Sequence, residues 1–220
     1  MTKLIEKNDP RYFSQTSNLT YDRHHYKIVS KHYATFIVES WDEVQEWWWN
    51  HCNMINLPAF NEFYVDDDFV NFFNDKMKDY EKNNYLEGKN DTATVNGKQT
   101  KNILELNDNE TDKKLNSLIQ LIENKSKCKL KYQWVHLVRY NKEGYQDMHR
   151  HDYNEDISLI IYLNTCTDGK TEFLINEKRK IKFFRNPEKG KCIMFLSSIS
   201  HRAMPSSENK TVLVLGFRLN

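Results

Sequence analysis

The stretch that decides the fold is ISLIIYLN at residues 157–164, and similar segments follow it: TEFLI at 171–175, IKFF at 181–184, KCIMFL at 191–196 and TVLVLGFRL at 211–219. These short segments are rich in β-branched and aromatic residues, and polar or Gly/Pro-containing turns separate them. KYQWVHLVRYN at residues 131–141 has the same character and precedes them. Many short strands at close spacing are typical of an antiparallel sandwich, jelly roll or barrel. We therefore expect a β-domain over residues 131–220.

Three amphipathic helices are predicted ahead of this β-region, because apolar residues recur there at helical spacing. The first follows a capping box at Ser40 and carries the run Trp47-Trp48-Trp49, which we assign to core packing and not to ligand stacking. The second follows Asp66-Asp67-Asp68, which we assign to helix capping because consecutive side chains do not converge on one cation. The third spans Leu115 to Ile122. The polar segment 83–101 is expected to be a long loop or a weak hairpin.

Composition limits the classes of function. The chain has 220 residues and a net charge of +1, from 32 basic and 31 acidic side chains, which argues against electrostatic binding of nucleic acid or of a membrane surface. No run approaches the roughly 18 apolar residues of a membrane span, and the N-terminal residues lack the apolar core of a signal peptide. The four cysteines form no CxxC pair, so reduced thiols are expected. We expect a cytoplasmic protein, in the host cytoplasm if the gene is viral.

Three histidines in the β-region suggest a metal site. His149 and His151 are separated by one residue, so in an extended segment both side chains project from the same face, with Arg150 and Asp152 facing away. His201 lies fifty residues after His151, directly behind the strand KCIMFL and the polar turn SSIS. A third ligand that arrives from a distant strand would complete a site for one ion.

The residues around these histidines carry a family resemblance. In chain order they are Tyr140 with Gly144, the strand end YLN at 162–164, GKTEF at 169–173, GKCIMF at 190–195, and Lys210 nine residues after His201. Together they resemble the Fe(II)/2-oxoglutarate-dependent oxygenases, and within that superfamily the prolyl-4-hydroxylase-like branch. The resemblance covers about residues 132–220.

The resemblance implies a cofactor set and a reaction. Fe(II) would be held by His149, His151 and His201, with 2-oxoglutarate and dioxygen as cosubstrates. The protein would then couple decarboxylation of 2-oxoglutarate, to succinate and carbon dioxide, to hydroxylation of a C–H bond. The nearest branch favours a prolyl residue of a peptide or protein as substrate, although a metabolite or a nucleobase fits the same scaffold.

The resemblance also implies residues that bind the cosubstrate. Lys210 would pair with the distal carboxylate of 2-oxoglutarate, assisted by the hydroxyl of Tyr140 or Tyr162. Arg218 is the alternative if Lys210 does not make this contact. His136 shares strand parity with Tyr140 and could line the same pocket.

One position departs from the family pattern, which is His-x-Asp followed by a distant His. Here the third residue of the motif is His151. Either the metal is held by three neutral imidazoles, or Asp152 bends in at the strand end and supplies the carboxylate. A site of three histidines carries one negative charge less than the family site, which changes metal affinity and the ease of oxygen activation.

The predicted architecture follows from these features. The fold class is mainly β with N-terminal helices (α+β), with a double-stranded β-helix, or jelly roll, as the core. We divide the chain into an N-terminal arm (1–25), a support region of helices and strands (26–130) and a jelly-roll catalytic core (131–220), forming one domain overall. Two other functions stay open: a cupin-like three-histidine metalloprotein that does not use 2-oxoglutarate, and a non-enzymatic jelly-roll binding module.

Overall fold

The computed structural model describes residues 60–83, 94–126, 128–151, 155–176 and 181–219, together with the strand backbone at 19–21, 26–30, 33–38 and 86–87. The chain divides into two compact units, Met1–Ala59 and Phe60–Asn220. In the first unit, strands β1 (Leu19–Tyr21), β2 (Tyr26–Ser30) and β3 (Tyr33–Val38) form an antiparallel sheet in that order. The helix predicted after Ser40, with its tryptophan run, lies outside the described residues.

The second unit consists mainly of antiparallel strands. They are β4 (Phe60–Tyr64), β5 (Leu86–Glu87), β6 (Thr94–Thr100), β7 (Leu130–Gln146), β8 (Ile157–Tyr162), β9 (Thr171–Asn176), β10 (Ile181–Arg185), β11 (Lys191–Leu196), β12 (Ser200–Ala203) and β13 (Lys210–Leu219). Seven of them form a major sheet in the order β4-β11-β8-β13-β7-β6-β5, and three form a minor sheet in the order β10-β9-β12. The prediction of a mainly β, antiparallel core is therefore confirmed.

The hydrophobic core is built from side chains of both sheets. The major sheet contributes buried residues such as Val138, Ile160 and Val212, and the minor sheet contributes Phe173 and Ala203. Alternation along each strand directs every second side chain into this layer. Polar side chains at the inward-facing positions of these strands consequently also face the interior of the sandwich.

Two helices cover the outer face of the major sheet. They are α1 (Asp67–Lys82) and α2 (Asn109–Ser126), and a short 3₁₀ helix, Ile103–Leu106, precedes α2. The hydroxyl of Tyr132 on β7 donates to the carbonyl of Leu115 on α2 at 2.6 Å. Because these helices shield the second face of the sheet, all six residues of β8 are buried. Among the described residues, no helix combines the length and the apolar character needed to cross a membrane.

Candidate metal and cosubstrate site

Backbone hydrogen bonds bring the two halves of the histidine cluster together. His149 and His201 form an isolated antiparallel bridge, in which each N–H donates to the other's carbonyl, at 3.0 and 2.8 Å. The N–H of His151 donates to the carbonyl of Ser197 at 2.9 Å, just before β12. One candidate ligand atom from each of the three histidines lies within 4.8 Å of the other two. Residues fifty positions apart in the sequence thus form one cluster.

Each histidine has its Nδ1 engaged by an oxygen acceptor. Nδ1 of His149 lies 2.8 Å from the carbonyl of Asp147, and Nδ1 of His201 lies 3.0 Å from the carbonyl of Ile199. A carbonyl only accepts, so each Nδ1 carries the proton, and Nε2 keeps its lone pair. This tautomer leaves Nε2 free to bind a metal while an outer partner fixes the second nitrogen.

His151 differs from the other two because its partner is a carboxylate. Its Nδ1 lies 3.1 Å from Oε1 of Glu155, whose side chain is only 2% exposed. The indole Nε1–H of Trp134 donates to the other carboxylate oxygen, and the Ser158 hydroxyl lies 3.3 Å from Oε1. Burial raises the pKa of Glu155 to about 7. The carboxylate is therefore held in a nearly dry, hydrogen-bonded pocket beside the cluster.

Burial favours the uncharged form of His149 and His201. It lowers the pKa of His149, and it lowers the pKa of His201 well below the usual histidine value, with the nearby His149 and His151 adding to the effect. Neutral imidazoles are the form that binds a divalent cation.

A cavity of about 270 Å³ joins the histidine cluster to Lys210. The lysine lies on β13, directly opposite Tyr140 of β7, and is 1% exposed. Its Nζ donates to the carbonyls of Gly169 and Met204, at 2.6 and 3.1 Å. An ammonium group has three protons, so one N–H is left for a ligand in the cavity. Burial lowers the pKa of Lys210 to about 8.

The two predicted tyrosines occupy different places around this cavity. The ring of Tyr140 lines it and lies 5.0 Å from Nζ of Lys210, and its hydroxyl donates to Gln146 at 3.1 Å. The hydroxyl of Tyr162 lies 2.6 Å from Oγ1 of Thr171, which lines the cavity. Burial raises the pKa of both phenols well above the usual tyrosine value. Tyr162 therefore supports the wall, whereas Tyr140 forms part of it.

The remaining predicted residues differ in their places relative to the site. Arg218 lies near the end of β13, exposed, in register with Lys131, and it does not line the cavity. Asp152 lies outside the described residues. His136 lines the cavity, and its Nδ1 lies 2.9 Å from the carbonyl of Thr100.

The donor set fits a single first-row metal ion. One candidate ligand atom of each imidazole lies within 4.8 Å of the other two, each Nδ1 lies beside an outer oxygen, and the rings lie in the wall of a cavity that leaves one side of the cluster accessible. Imidazole nitrogen is a ligand that Fe, Zn, Cu and Ni share, so the geometry indicates a transition metal without selecting one.

Comparisons with known proteins find one family model and several solved structures that are similar to parts of the chain. The family model of a domain of unknown function, DUF7441, matches residues 5–58. No curated protein sequence matches the chain.

The structural matches include two prolyl hydroxylases and a protein solved with 2-oxoglutarate bound. A prolyl-4-hydroxylase from Pseudomonas putida has a TM-score of 0.58 at 15% identity, over 74% of this chain and 93% of its own. A Trichoplax adhaerens prolyl hydroxylase, solved with a hypoxia inducible factor peptide, has a TM-score of 0.59 at 14% identity, over 82% and 94%. HygX from Streptomyces hygroscopicus, with nickel and 2-oxoglutarate bound, has a TM-score of 0.56 at 8% identity, over 80% and 86%.

The chain therefore shares its fold with these solved prolyl hydroxylases. The predicted jelly roll is therefore confirmed, with the major and minor sheets as its two layers.

Sequence reasoning missed several residues of this site. Glu155 and Trp134 gave no signal, because neither belongs to a motif that we recognised, although Trp134 shares strand parity with His136 and Tyr140. Thr171 belongs to the GKTEF motif, and the motif alone suggests no role for its side chain. Side chains alternate along β7, so Trp134 projects to the same face as His136 and Tyr140, and this pattern could have identified it.

Proposed function

We propose that this protein is an Fe(II)- and 2-oxoglutarate-dependent dioxygenase that hydroxylates a C–H bond. The observation that carries the proposal is the single cavity whose wall contains both the three converging histidines and the buried ammonium of Lys210. A histidine cluster that can hold a metal ion and a separate buried ammonium group in one cavity suit a ligand with a chelating end and a carboxylate at the other end. 2-Oxoglutarate has this chemistry, and the jelly-roll neighbours support the choice.

The proposed roles of the residues follow from their contacts. His149, His151 and His201 would hold the metal through Nε2, while Lys210 would donate its remaining N–H to the distal carboxylate. Tyr140 packs against Lys210 and bounds the cosubstrate, and the Val212 and Ala203 side chains exclude water beside it. When bound, Fe(II) supplies the redox chemistry that couples keto-acid decarboxylation to hydroxylation.

The overall reaction balances. 2-Oxoglutarate, dioxygen and R–H give succinate, carbon dioxide and R–OH, with one oxygen atom of dioxygen in succinate and the other in the product. The keto acid supplies two electrons, and the C–H bond supplies the other two.

For the substrate we propose a prolyl residue of a peptide or protein. The support is the prolyl-hydroxylase-like motif order, together with two structural neighbours that are prolyl hydroxylases, one of them solved with a peptide. Incubation with proline-containing peptides, Fe(II) and 2-oxoglutarate should add one oxygen atom to a prolyl residue, as measured by fragment mass spectrometry. Turnover only with free small molecules would overturn this choice of substrate.

Cosubstrate turnover tests the proposed reaction. Wild-type protein with Fe(II) should release carbon dioxide from carboxyl-labelled 2-oxoglutarate. The His201→Ala variant should release none, and Lys210→Met should require a far higher 2-oxoglutarate concentration. Metal binding without any use of 2-oxoglutarate, unaffected by Lys210→Met, would instead indicate the cupin-like alternative.

A further inference from the structure

The three-histidine cluster contains no anionic ligand among the described residues, so the charge of a bound divalent cation would be uncompensated in the cluster itself. A described carboxylate, that of Glu155, contacts Nδ1 of His151 at 3.1 Å, and unlike His151 it does not line the cavity. The imidazole of His151 therefore stands between this carboxylate and the candidate metal position.

Glu155 is held rigidly. One carboxylate oxygen accepts from the Trp134 indole, and the other lies beside both His151 and the Ser158 hydroxyl. Ser158 is in turn 3.0 Å from the hydroxyl of Ser197, whose carbonyl accepts from the backbone N–H of His151. The side chain and the backbone of His151 are thus fixed by one connected network.

The neighbouring strand leaves room for this carboxylate. A Cβ at Gly216 of β13 would lie 2.5 Å from Oε2 of Glu155 and 2.5 Å from Cε2 of Trp134. Any side chain at position 216 would displace one of them, so glycine is needed there for close approach. The pocket that holds Glu155 is therefore formed by a third strand, distant in sequence from the histidine pair.

We propose that Glu155 is a positioning residue for the metal centre, which orients His151 through its Nδ1–H and supplies from the outer shell a negative charge that the three histidines do not carry. A carboxylate behind a metal-bound imidazole fixes the ring and raises its basicity. This inference rests on the proposed function, since it presupposes that the histidine cluster binds a metal.

Metal titrations of the apoprotein with Co²⁺ test the inference, with the dissociation constant measured by calorimetry and the visible Co²⁺ absorption recorded in parallel. Glu155→Gln keeps the size of the side chain and an acceptor oxygen but removes the charge. We expect it to weaken Co²⁺ binding by about 10- to 100-fold and to alter the Co²⁺ spectrum. Gly216→Ala keeps Glu155 but displaces its carboxylate, so it should also weaken Co²⁺ binding.

Glu172→Gln is the matched control. Glu172 is a carboxylate of the minor sheet that is 1% exposed, but it pairs with Arg202 at 2.5 Å and with Lys182, and it does not line the cavity. Its replacement should leave the Co²⁺ dissociation constant and spectrum unchanged.

The outcomes separate this inference from the proposed function. Equal affinity and an equal spectrum in wild-type protein and Glu155→Gln would overturn the inference alone. A loss confined to Asp152→Asn would also overturn it, because the carboxylate would then come from Asp152. Absence of Co²⁺ and Fe(II) binding by wild-type protein would overturn the proposed function together with this inference.

Discussion

At the scale of single residues, the most unusual group is the buried ammonium of Lys210. It is 1% exposed, and the two carbonyls that accept its hydrogen bonds carry no full charge. Burial consequently lowers its pKa to about 8, so part of the population is neutral just above physiological pH. A carboxylate ligand would restore the charge by pairing with it.

We therefore predict that 2-oxoglutarate affinity falls as pH rises through 8. The free protein must bind a proton on Lys210 before it binds the dicarboxylate, so above pH 8 the dissociation constant should rise by up to about tenfold per pH unit. Calorimetry on Ni²⁺-loaded protein between pH 7 and 9 measures this dependence.

Lys210→Met is the control for this prediction. The variant should bind 2-oxoglutarate roughly 100-fold more weakly, the equivalent of about one charged hydrogen bond, and with no pH dependence in that range. A wild-type dissociation constant that stays level from pH 7 to 9 would contradict the assignment of Lys210.

The sequence predicts some residues of the site better than others. His149, His201 and Lys210 belong to ordered segments at recognisable spacings, so their convergence could be expected. The contact of Glu155 with His151 could not be expected. Three acidic residues, Asp152, Glu155 and Asp156, closely follow His151, and their spacing does not distinguish them. Which of them reaches the imidazole depends on the path of the loop and on the space left by Gly216, and no local spacing specifies either.

At the scale of elements, the acidic run ahead of α1 caps the helix, as predicted. Asp66 is the N-cap and accepts from the N–H of Phe69 at 2.8 Å, whereas Asp67 pairs with Lys189 at 2.7 Å and Asp68 pairs with Lys114. The three carboxylates point to different partners, so they form no cation site.

We predict that Asp66→Ala lowers the free energy of unfolding by about 1 kcal/mol, because it leaves an N-terminal amide of α1 without its cap. Asp68→Ala, in the same run but with an exposed carboxylate, should cost less than half as much. Urea denaturation measures both. Equal losses in the two variants would show that charge, and not capping, determines the effect.

The sequence pattern predicts a strand best where one full face of that strand, or both of its faces, carry apolar side chains. The segments at 157–164 and 191–196 correspond to β8 and β11, and the polar segment 83–101 contains the β5-β6 hairpin. Strand β12 was missed, because SSIS has the composition of a turn and the strand that follows it is only four residues long. Its pairing with β9 and the bridge from His149 to His201 are tertiary contacts, which local composition does not encode.

At the scale of the whole molecule, the sandwich buries phenols that its unfolded chain would expose. Burial raises the pKa of Tyr132, Tyr140 and Tyr162 well above the ordinary value of 10.0. Above pH 10 the unfolded chain binds fewer protons than the folded one. The stability that these phenols contribute is therefore fully present below pH 10 and is lost as the pH rises beyond it.

We therefore predict that these tyrosines ionise only when the protein unfolds. A titration that follows tyrosinate absorbance and circular dichroism together should show a late absorbance step coincident with loss of structure. Tyr132→Phe should reduce the amplitude of that step. Ionisation of these tyrosines near pH 10 while the circular dichroism is unchanged would contradict the packing described.

The architecture of the unit Phe60–Asn220 explains how distant segments form one site. Strands β7, β8 and β13 of the major sheet direct alternate side chains into the sandwich, and β9 and β12 close it from the other side. The cavity lies between these layers, with the histidine cluster and Lys210 in its wall. The predicted division at residues 25 and 130 stays a prediction, although β4, β5 and β6, all before residue 130, belong to the major sheet.

The most direct test of the central claim is an anaerobic absorption spectrum. Fe(II) and then 2-oxoglutarate are added to the apoprotein under argon, and no substrate has to be known. We predict the visible charge-transfer band of a keto acid chelated to ferrous iron, absent in His201→Ala and weakened at equal 2-oxoglutarate concentration in Lys210→Met. Iron binding without such a band would contradict the claim that this cavity binds 2-oxoglutarate at the metal.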